Sequence, residues 1–582
     1  MPRLYTRSGA MLFSSALCLI SAVQLTAQAA PDSTLQDNDE PVLLSPFVVE
    51  GDEDDGYLAK STLAGTRIRT ELRDVGAAIS VVTPKFLQDT NSKSSADLLV
   101  YTTGTEVAGQ GGNFAGGGDG TVITSAFDSP VAGTRVRGLA SADNLRDFFL
   151  TDIPWDAYNT GRVDLQRGPN SILFGIGSPA GIINNSINGA SFRNANRVEL
   201  QAGSYGSYRG SLDLNRVILK DKLSVRFSSL YDETKYRQKP AHRSDHRLFG
   251  ALRYDPSLFN QAHAHTSFRA NVEKGEIDGA NPRNTPLNDN LTPWFNHTGR
   301  ATYPWQNVQD LITATTQSQN PWLGTAAGVF EGMVAPFPSA TSGEQGRFFS
   351  GDTITYPATS DPTLYDKNNG RYLGIVSFDQ YSKNARLPGY TLSPYKPKSL
   401  TDASIFDFYN NLIDGPNRRN WSEFTAYNLN LSQTFLDNRL GFELAYDNQD
   451  TKWGYRNFLR DGRGAITVDV MQTLMDGTAN PHVGRAMVIG SGSATSGQTK
   501  RQREALRGTM FGELDFRTVL PSKSTLGRIL GRHNFTFSQA KQSAETENST
   551  WNNYFVGAGY LPTAASSLGT AGRDISTFSY LS

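Results

Sequence analysis

Cysteine is nearly absent from this chain: 582 residues contain one, Cys18. It follows the bulky Leu17 inside an apolar run, where lipid attachment would want small neighbours. A mature form lacking that run has no thiol and no disulfide. Long apolar stretches are missing too. None approaches the ~18 uninterrupted apolar residues of a helical membrane span. Net charge is almost nil, 55 Lys+Arg against 56 Asp+Glu, which argues against a basic face that recruits nucleic acid. Catalytic signatures such as G-x-S-x-G and H-E-x-x-H do not occur. The loop Gly109–Gly120 lacks the Gly-Lys-Ser/Thr ending of a P-loop, and Gly175, Gly177 and Gly181 miss the dinucleotide spacing by one place. His242 with His246, and His263 with His265, lack a third ligand at fixed spacing, so solvated histidines are expected rather than a metal site. These absences point away from an enzyme and from a bound cofactor.

What is present begins with Arg3 and Arg7, an apolar run from Ala10 to about Val23, and Ala27-Gln28-Ala29. That three-part pattern predicts a secretory signal peptide over residues 1–30. Residues 31–62 are polar and acidic around one β-prone island, Pro46-Phe47-Val48-Val49-Glu50. Such an island suits strand addition to another protein's sheet edge, and its acidic flanks favour an exposed, mobile segment. An ordinary first strand of the next domain is the alternative. Residues 63–195 read as mixed α+β. Ala78–Val82 is a short strand, Thr83-Pro84 opens a helix, and Ser95–Tyr101 is a second helical candidate. Val136–Leu139, Phe148–Leu150 and Arg162–Gln166 read as further strands.

From residue 196 to 582 the period becomes two. Val198 and Leu200, then Leu223, Val225 and Phe227, then Phe268, Ala270 and Val272 alternate with polar residues. Leu440, Phe442, Leu444 and Tyr446 repeat the pattern, as do Met510, Leu514 and the pair Phe535 and Phe537. Connections tend to alternate between tight (Asp221-Lys222, Asp437-Asn438) and long (231–245, 275–419, 447–505). Strands with one apolar and one polar face, joined by alternately short and long links, describe a transmembrane antiparallel β-barrel. About nine barrel strands are predicted, against about 22 in plugged transporters. The barrel is therefore expected to be incomplete and the chain a fragment. The 275–419 segment carries Trp294, Trp305 and Trp322 among Tyr, Phe and Asn, a composition suited to flat organic ligands or sugars, or to packing on neighbouring loops.

The most informative run is RGPNSILFGIGSPAGIIN, Arg167–Asn184. Its Gly and Pro content rules out a helix. Together with Ile79 to Gly104, RVRGL at Arg135 and VDLQ before Arg167, it resembles the plug domain of TonB-dependent outer-membrane receptors. The resemblance implies an α+β plug followed by barrel strands, in the Gram-negative outer membrane among its lipids. It makes Arg135, Gly138, Arg167, Gly168, Pro169, Gly175, Gly177 and Gly181 structural signature residues. It makes Pro46, Phe47, Val48, Val49 and Glu50 a TonB box, the handle for the periplasmic partner TonB. The 109–120 loop becomes a plug apex with Gln110, Asn113 and Phe114 facing ligand, or else a plain surface loop. Arg135, Arg137, Arg162 and Arg167 either tie the plug to wall carboxylates or pair within the plug. The implied function is uptake of a scarce nutrient: a ferric siderophore first, with an oligosaccharide or cobalamin as alternatives. A surface sensor or adhesin, and a secreted β-rich enzyme, are the competing classes.

Overall fold

The computed structural model describes residues 46–47, 54, 56–107, 134–138, 140–168, 178–256, 263–283, 286–287, 382–383, 385–392, 394–395, 399–404, 406–415, 418–457, 496–519 and 525–551. It also gives backbone for short strands at 347–348, 353–358, 372–373, 465–469, 486–491 and 574–580. The predicted signal peptide lies outside the described residues.

The first layer is a five-stranded sheet. Its strands are β1 (Ala78–Val82), β2 (Asp143–Arg146), β3 (Phe149–Leu150), β4 (Thr160–Arg167) and β5 (Gly181–Ile187), in the order β1-β4-β5-β2-β3. Only β2 and β5 run parallel; the other pairs are antiparallel. Helix α1 (Pro84–Asp89) starts where the sequence predicts, with the Thr83 hydroxyl accepting from Phe86 N and Pro84 in the first turn. Helix α2 is short, Ser95–Leu98, and tightens into a 3-10 turn at Leu99–Tyr101. Val82, Leu87, Leu98, Leu99, Trp155, Val163, Leu165 and Ile183 form the core between helices and sheet. The strand expected at Val136–Leu139 instead covers Thr134–Val136. Arg137 and Gly138 take positive φ of 56° and 67°, which turns the chain before it could extend.

The second layer is one nine-stranded antiparallel sheet in sequence order: β6 (Ala195–Ala202), β7 (Tyr208–Leu219), β8 (Leu223–Lys235), β9 (His242–Tyr254), β10 (Ala264–Ala280), β11 (Arg419–Phe435), β12 (Leu440–Arg456), β13 (Ser496–Asp515) and β14 (Arg532–Trp551). Among the described residues no pairing closes it. Leu248, Leu252, Phe268, Val272, Leu429, Leu444, Met510 and Phe537 are exposed on one face, as the alternation requires. The opposite face carries the plug contacts described below. The strands run further than the apolar pattern. The link expected over 231–245 is strand as far as Lys235 and again from His242, and β12 continues to Arg456. Backbone pairing alone continues these strands, because a ladder needs no apolar face once it leaves lipid. Strands β13 and β14 have 20 residues each, which at ~3.3 Å per residue exceeds the ~30 Å hydrocarbon core.

The long connections all leave the end of the sheet marked by Ala280, Arg419, Arg456, Ser496 and Trp551. Segments 347–348, 353–358, 372–373, 465–469, 486–491 and 574–580 from beyond that end pair into a separate six-stranded sheet.

Gly181 shows how tightly the plug signature is built. It opens β5 opposite Arg167 with φ +121°, and an added Cβ would lie 2.0 Å from the Gln166 carbonyl oxygen. Gly181→Ala is expected to destabilise the plug by about 2–4 kcal/mol. A lower urea midpoint for plug unfolding would be the readout, and an unchanged midpoint would contradict it.

Candidate functional site

Two features bear on function: the segment at Pro46 and Phe47, and the belt that docks the plug. Sequence places the Pro46–Glu50 island in solvent. Pro46 and Phe47 are instead tucked in. The Pro46 carbonyl accepts from Arg69 N at 2.7 Å, and Phe47 is 4 % exposed. The Phe47 ring stands edge-on to Phe511 of β13, centroids 5.2 Å apart. Phe511 in turn lies over Gly441 of β12, where a Cβ would come within 2.6 Å of the ring. An aromatic side chain in an otherwise acidic segment has only this apolar niche to escape water, which explains the correction. Val48, Val49 and Glu50 lie outside the described residues. Beyond Phe47 a solvent-open cavity of ≈ 170 Å³ lies between plug residues such as Phe148 and Ile187 and wall residues such as Arg269, Asn428 and Arg507.

The plug is docked through residues 146–158, the stretch from the end of β2 to just before β4. Arg146 forms a buried ion pair with Glu273 of β10, and the Tyr158 hydroxyl donates to the other Glu273 oxygen at 2.7 Å. Arg209 of β7 grips Asp156 at 2.5 Å and also holds Asp232 of β8 at 2.8 Å. Arg247 of β9 donates to the Pro154 carbonyl at 2.6 Å while paired with Asp245 at 2.7 Å. Arg501 and Arg503 of β13 converge on Asp152 at 2.7 and 2.5 Å. Arg507 donates to the Phe148 carbonyl at 3.3 Å, covers the Phe149 ring at 4.2 Å and pairs with Glu443 of β12 at 3.2 Å. Thr151 donates to Gln449 Oε1 at 2.6 Å.

This belt reverses the expected polarity. Arg135 pairs with Glu106 at 2.8 Å, inside the plug. Arg162 is buried and donates to the Ser61 carbonyl at 2.8 Å, with Asp54 3.9 Å away. Arg167 donates to the Thr103 carbonyl and to Ser80 Oγ, both at 2.9 Å. Arg137 N donates to the Gly104 carbonyl at 2.8 Å. The pairing within the plug is thus the one that holds for Arg135, Arg162 and Arg167, while the wall supplies most arginines and the plug supplies acids. Sequence reasoning missed Arg146, Asp152, Asp156 and Tyr158 because TDIPWDAY has no period. The wall arginines did leave a signal, since each falls on the polar phase of its strand's alternation.

Gly168 and Gly181 take positive φ where the signature turns. Pro169, Gly175 and Gly177 lie outside the described residues, as do Gln110, Asn113 and Phe114. His246 faces Glu233 at 3.3 Å, His263 faces Asp437 at 2.9 Å and His265 faces Asp255 at 3.2 Å. Among the described residues no group of three or more His, Cys, Asp or Glu could hold a metal.

Asp147 sits beside the belt. Burial pushes its carboxyl up from 3.8 to about 6, against the lowering effect of Arg146 and the Ile187 N–H. A raised folded value means the folded plug holds a proton that the unfolded chain has released. Stability from this group is therefore present below about pH 4 and is lost as pH rises through about 6. Asp147→Asn should flatten the pH dependence of plug unfolding in that window, measured by urea titration at several pH values. Glu273→Ala leaves Arg146 buried without its partner and should cost about 3–5 kcal/mol. Urea-driven release of the plug from the barrel should shift accordingly, whereas Arg167→Ala should leave that release unchanged. Equal effects of the two would contradict the belt.

Residues 71–182 match the family model described as TonB-dependent Receptor Plug Domain. The ferrichrome outer membrane transporter/phage receptor of Escherichia coli K12 is 26% identical over 200 residues, 34% of this chain and 26% of that protein. The metal-pseudopaline receptor CntO of Pseudomonas aeruginosa is 30% identical over 160 residues, 28% of this chain and 21% of the relative. The pyoverdine outer membrane receptor FpvA of Pseudomonas aeruginosa PAO1, a solved structure, aligns with 92% of this chain and 55% of its own at 12% identity and a TM-score of 0.49. The chain spans about a quarter of the length of these two curated relatives. Residues 71–182 are therefore a plug domain of the TonB-dependent receptor type, followed in the chain by a nine-stranded antiparallel sheet.

Proposed function

We propose that the protein takes up a ferric siderophore across the outer membrane, drawing energy from TonB. The observation that carries this is the docking belt. The plug is held against the wall through ion pairs and hydrogen bonds, contacts that can be exchanged for water. A stopper that must leave and return requires that kind of attachment. Support for the substrate class comes from the relatives, whose names specify ferrichrome, metal-pseudopaline, ferrioxamine and catecholate siderophores. An oligosaccharide or cobalamin would use the same machine.

In this reading Pro46–Glu50 pairs as a strand with TonB, and withdrawal of Phe47 from its niche on Phe511 is the first movement. Gln110, Asn113 and Phe114 meet the ligand from the plug apex. The chain binds, gates and couples; it makes and breaks no covalent bond. Uptake of radiolabelled iron by cells carrying the full-length gene, across a panel of ferric siderophores and glycans, tests the substrate. Val48→Pro removes a backbone donor from the coupling strand. It should abolish uptake, by at least about tenfold, while ligand binding at the cell surface persists. Undiminished uptake would overturn the coupling role.

A further inference from the structure

The connection between β13 and β14 stands apart from the other turns at its end of the sheet. Of the other connections at that end, Lys220–Lys222 and Leu436–Arg439 are tight and the third spans 255–263. Here 516–531 intervene, including α3 (Phe516–Val519) and α4 (Thr525–Leu530). On α4, Leu526, Ile529 and Leu530 are 58 %, 75 % and 37 % exposed. Their spacing of three and four puts them on one helix face. Exposed apolar side chains clustered on a short turn cost solvation unless something covers them.

Two observations say what covers them. The first is continuity. Leu514, Phe535 and Phe537 belong to the exposed apolar face of the nine-stranded sheet. The Phe516 ring packs edge-on to His533 at 5.7 Å, and His533 stacks on Phe535. The apolar band therefore runs without a break to the foot of the connection. The second is charge. Arg528 lies on the same helix as the stripe and Arg517 and Arg532 flank that helix in sequence, where Glu513 and Asp515 are the nearest acids. Arg517 is engaged by Asp515 at 2.7 Å, and Arg532 reaches Glu513 only at 4.0 Å. An exposed apolar stripe flanked by arginines, level with one edge of a lipid-facing band, fits a bilayer interface with anionic headgroups.

We propose that α4, with Arg532 after it, is an interfacial membrane anchor. Leu526, Ile529 and Leu530 enter the acyl region of the periplasm-facing leaflet, and Arg528 and Arg532 meet phospholipid phosphates. The anchor rests on the barrel reading of the nine-stranded sheet. It fixes the edge of the wall whose β13 supplies Phe511, Arg501, Arg503 and Arg507 to the plug.

The scarcity of cysteine makes the test direct. The full chain carrying Cys18→Ser is given one new cysteine at a time, through Ile529→Cys, Phe535→Cys or Lys222→Cys, and spin-labelled. It is then reconstituted in vesicles of phosphatidylethanolamine with phosphatidylglycerol. Relaxation by oxygen, which concentrates in lipid, is compared with relaxation by a water-soluble nickel chelate. The oxygen-to-nickel ratio at 529 should exceed that at 222 several-fold and approach that at 535. Arg528→Glu with Arg532→Glu should lower the ratio at 529 in these vesicles but not in phosphatidylcholine. A watery 529 beside a lipidic 535 overturns the anchor and leaves the barrel standing. A site at 529 shielded from both reagents also overturns it, in favour of protein contact. If 535 is as watery as 222, the barrel reading itself fails. An equal ratio with and without the arginines removes the headgroup contact.

Discussion

The shared carboxylate of Glu273 is the contact on which the docked plug most depends. It takes Arg146 on one oxygen and the Tyr158 hydroxyl on the other, all three groups buried. A charge so removed from water is tolerable only while its partners stay. The two ends of the docking segment, 146 and 158, therefore converge on one residue of the wall, and the intervening acids are led to Arg209, Arg501 and Arg503. Register follows from this. Alternation of period two decides which wall residues face the lumen, and the paired strands decide their height.

Much of the architecture was legible because it rests on local rules. The two-residue period identified the strands of the nine-stranded sheet, since a sheet with one apolar and one polar face imposes that alternation. Thr83-Pro84 announced a helix start through capping chemistry. What escaped reading was long-range. The pairings of Arg135, Arg162 and Arg167 within the plug depend on which loops the tertiary fold brings alongside, and no spacing encodes that. The strands' full length was hidden as well, because beyond the bilayer hydrogen bonding continues where apolar alternation stops. Phe47 was misplaced in solvent because its acidic neighbours dominate any local average, while its burial depends on a gap above Gly441 nearly 400 residues away.

The coupling segment and the cavity behind it share a wall. Phe47 lines the cavity together with Phe148, Phe149 and Arg507, residues of the docking belt. Phe47 is thus placed beside the side chains that dock the plug.

The pairing of the wall arginines has a consequence for reversibility. Arg209, Arg247 and Arg507 each hold a plug group and also a carboxylate of the wall itself: Asp232, Asp245 and Glu443. Were the plug to leave, these three cations would keep a built-in counterion, whereas Arg501 and Arg503 would lose Asp152 and Glu273 would lose Arg146. Three of the wall's docking side chains are therefore oriented by the wall itself, independently of the plug groups they also hold.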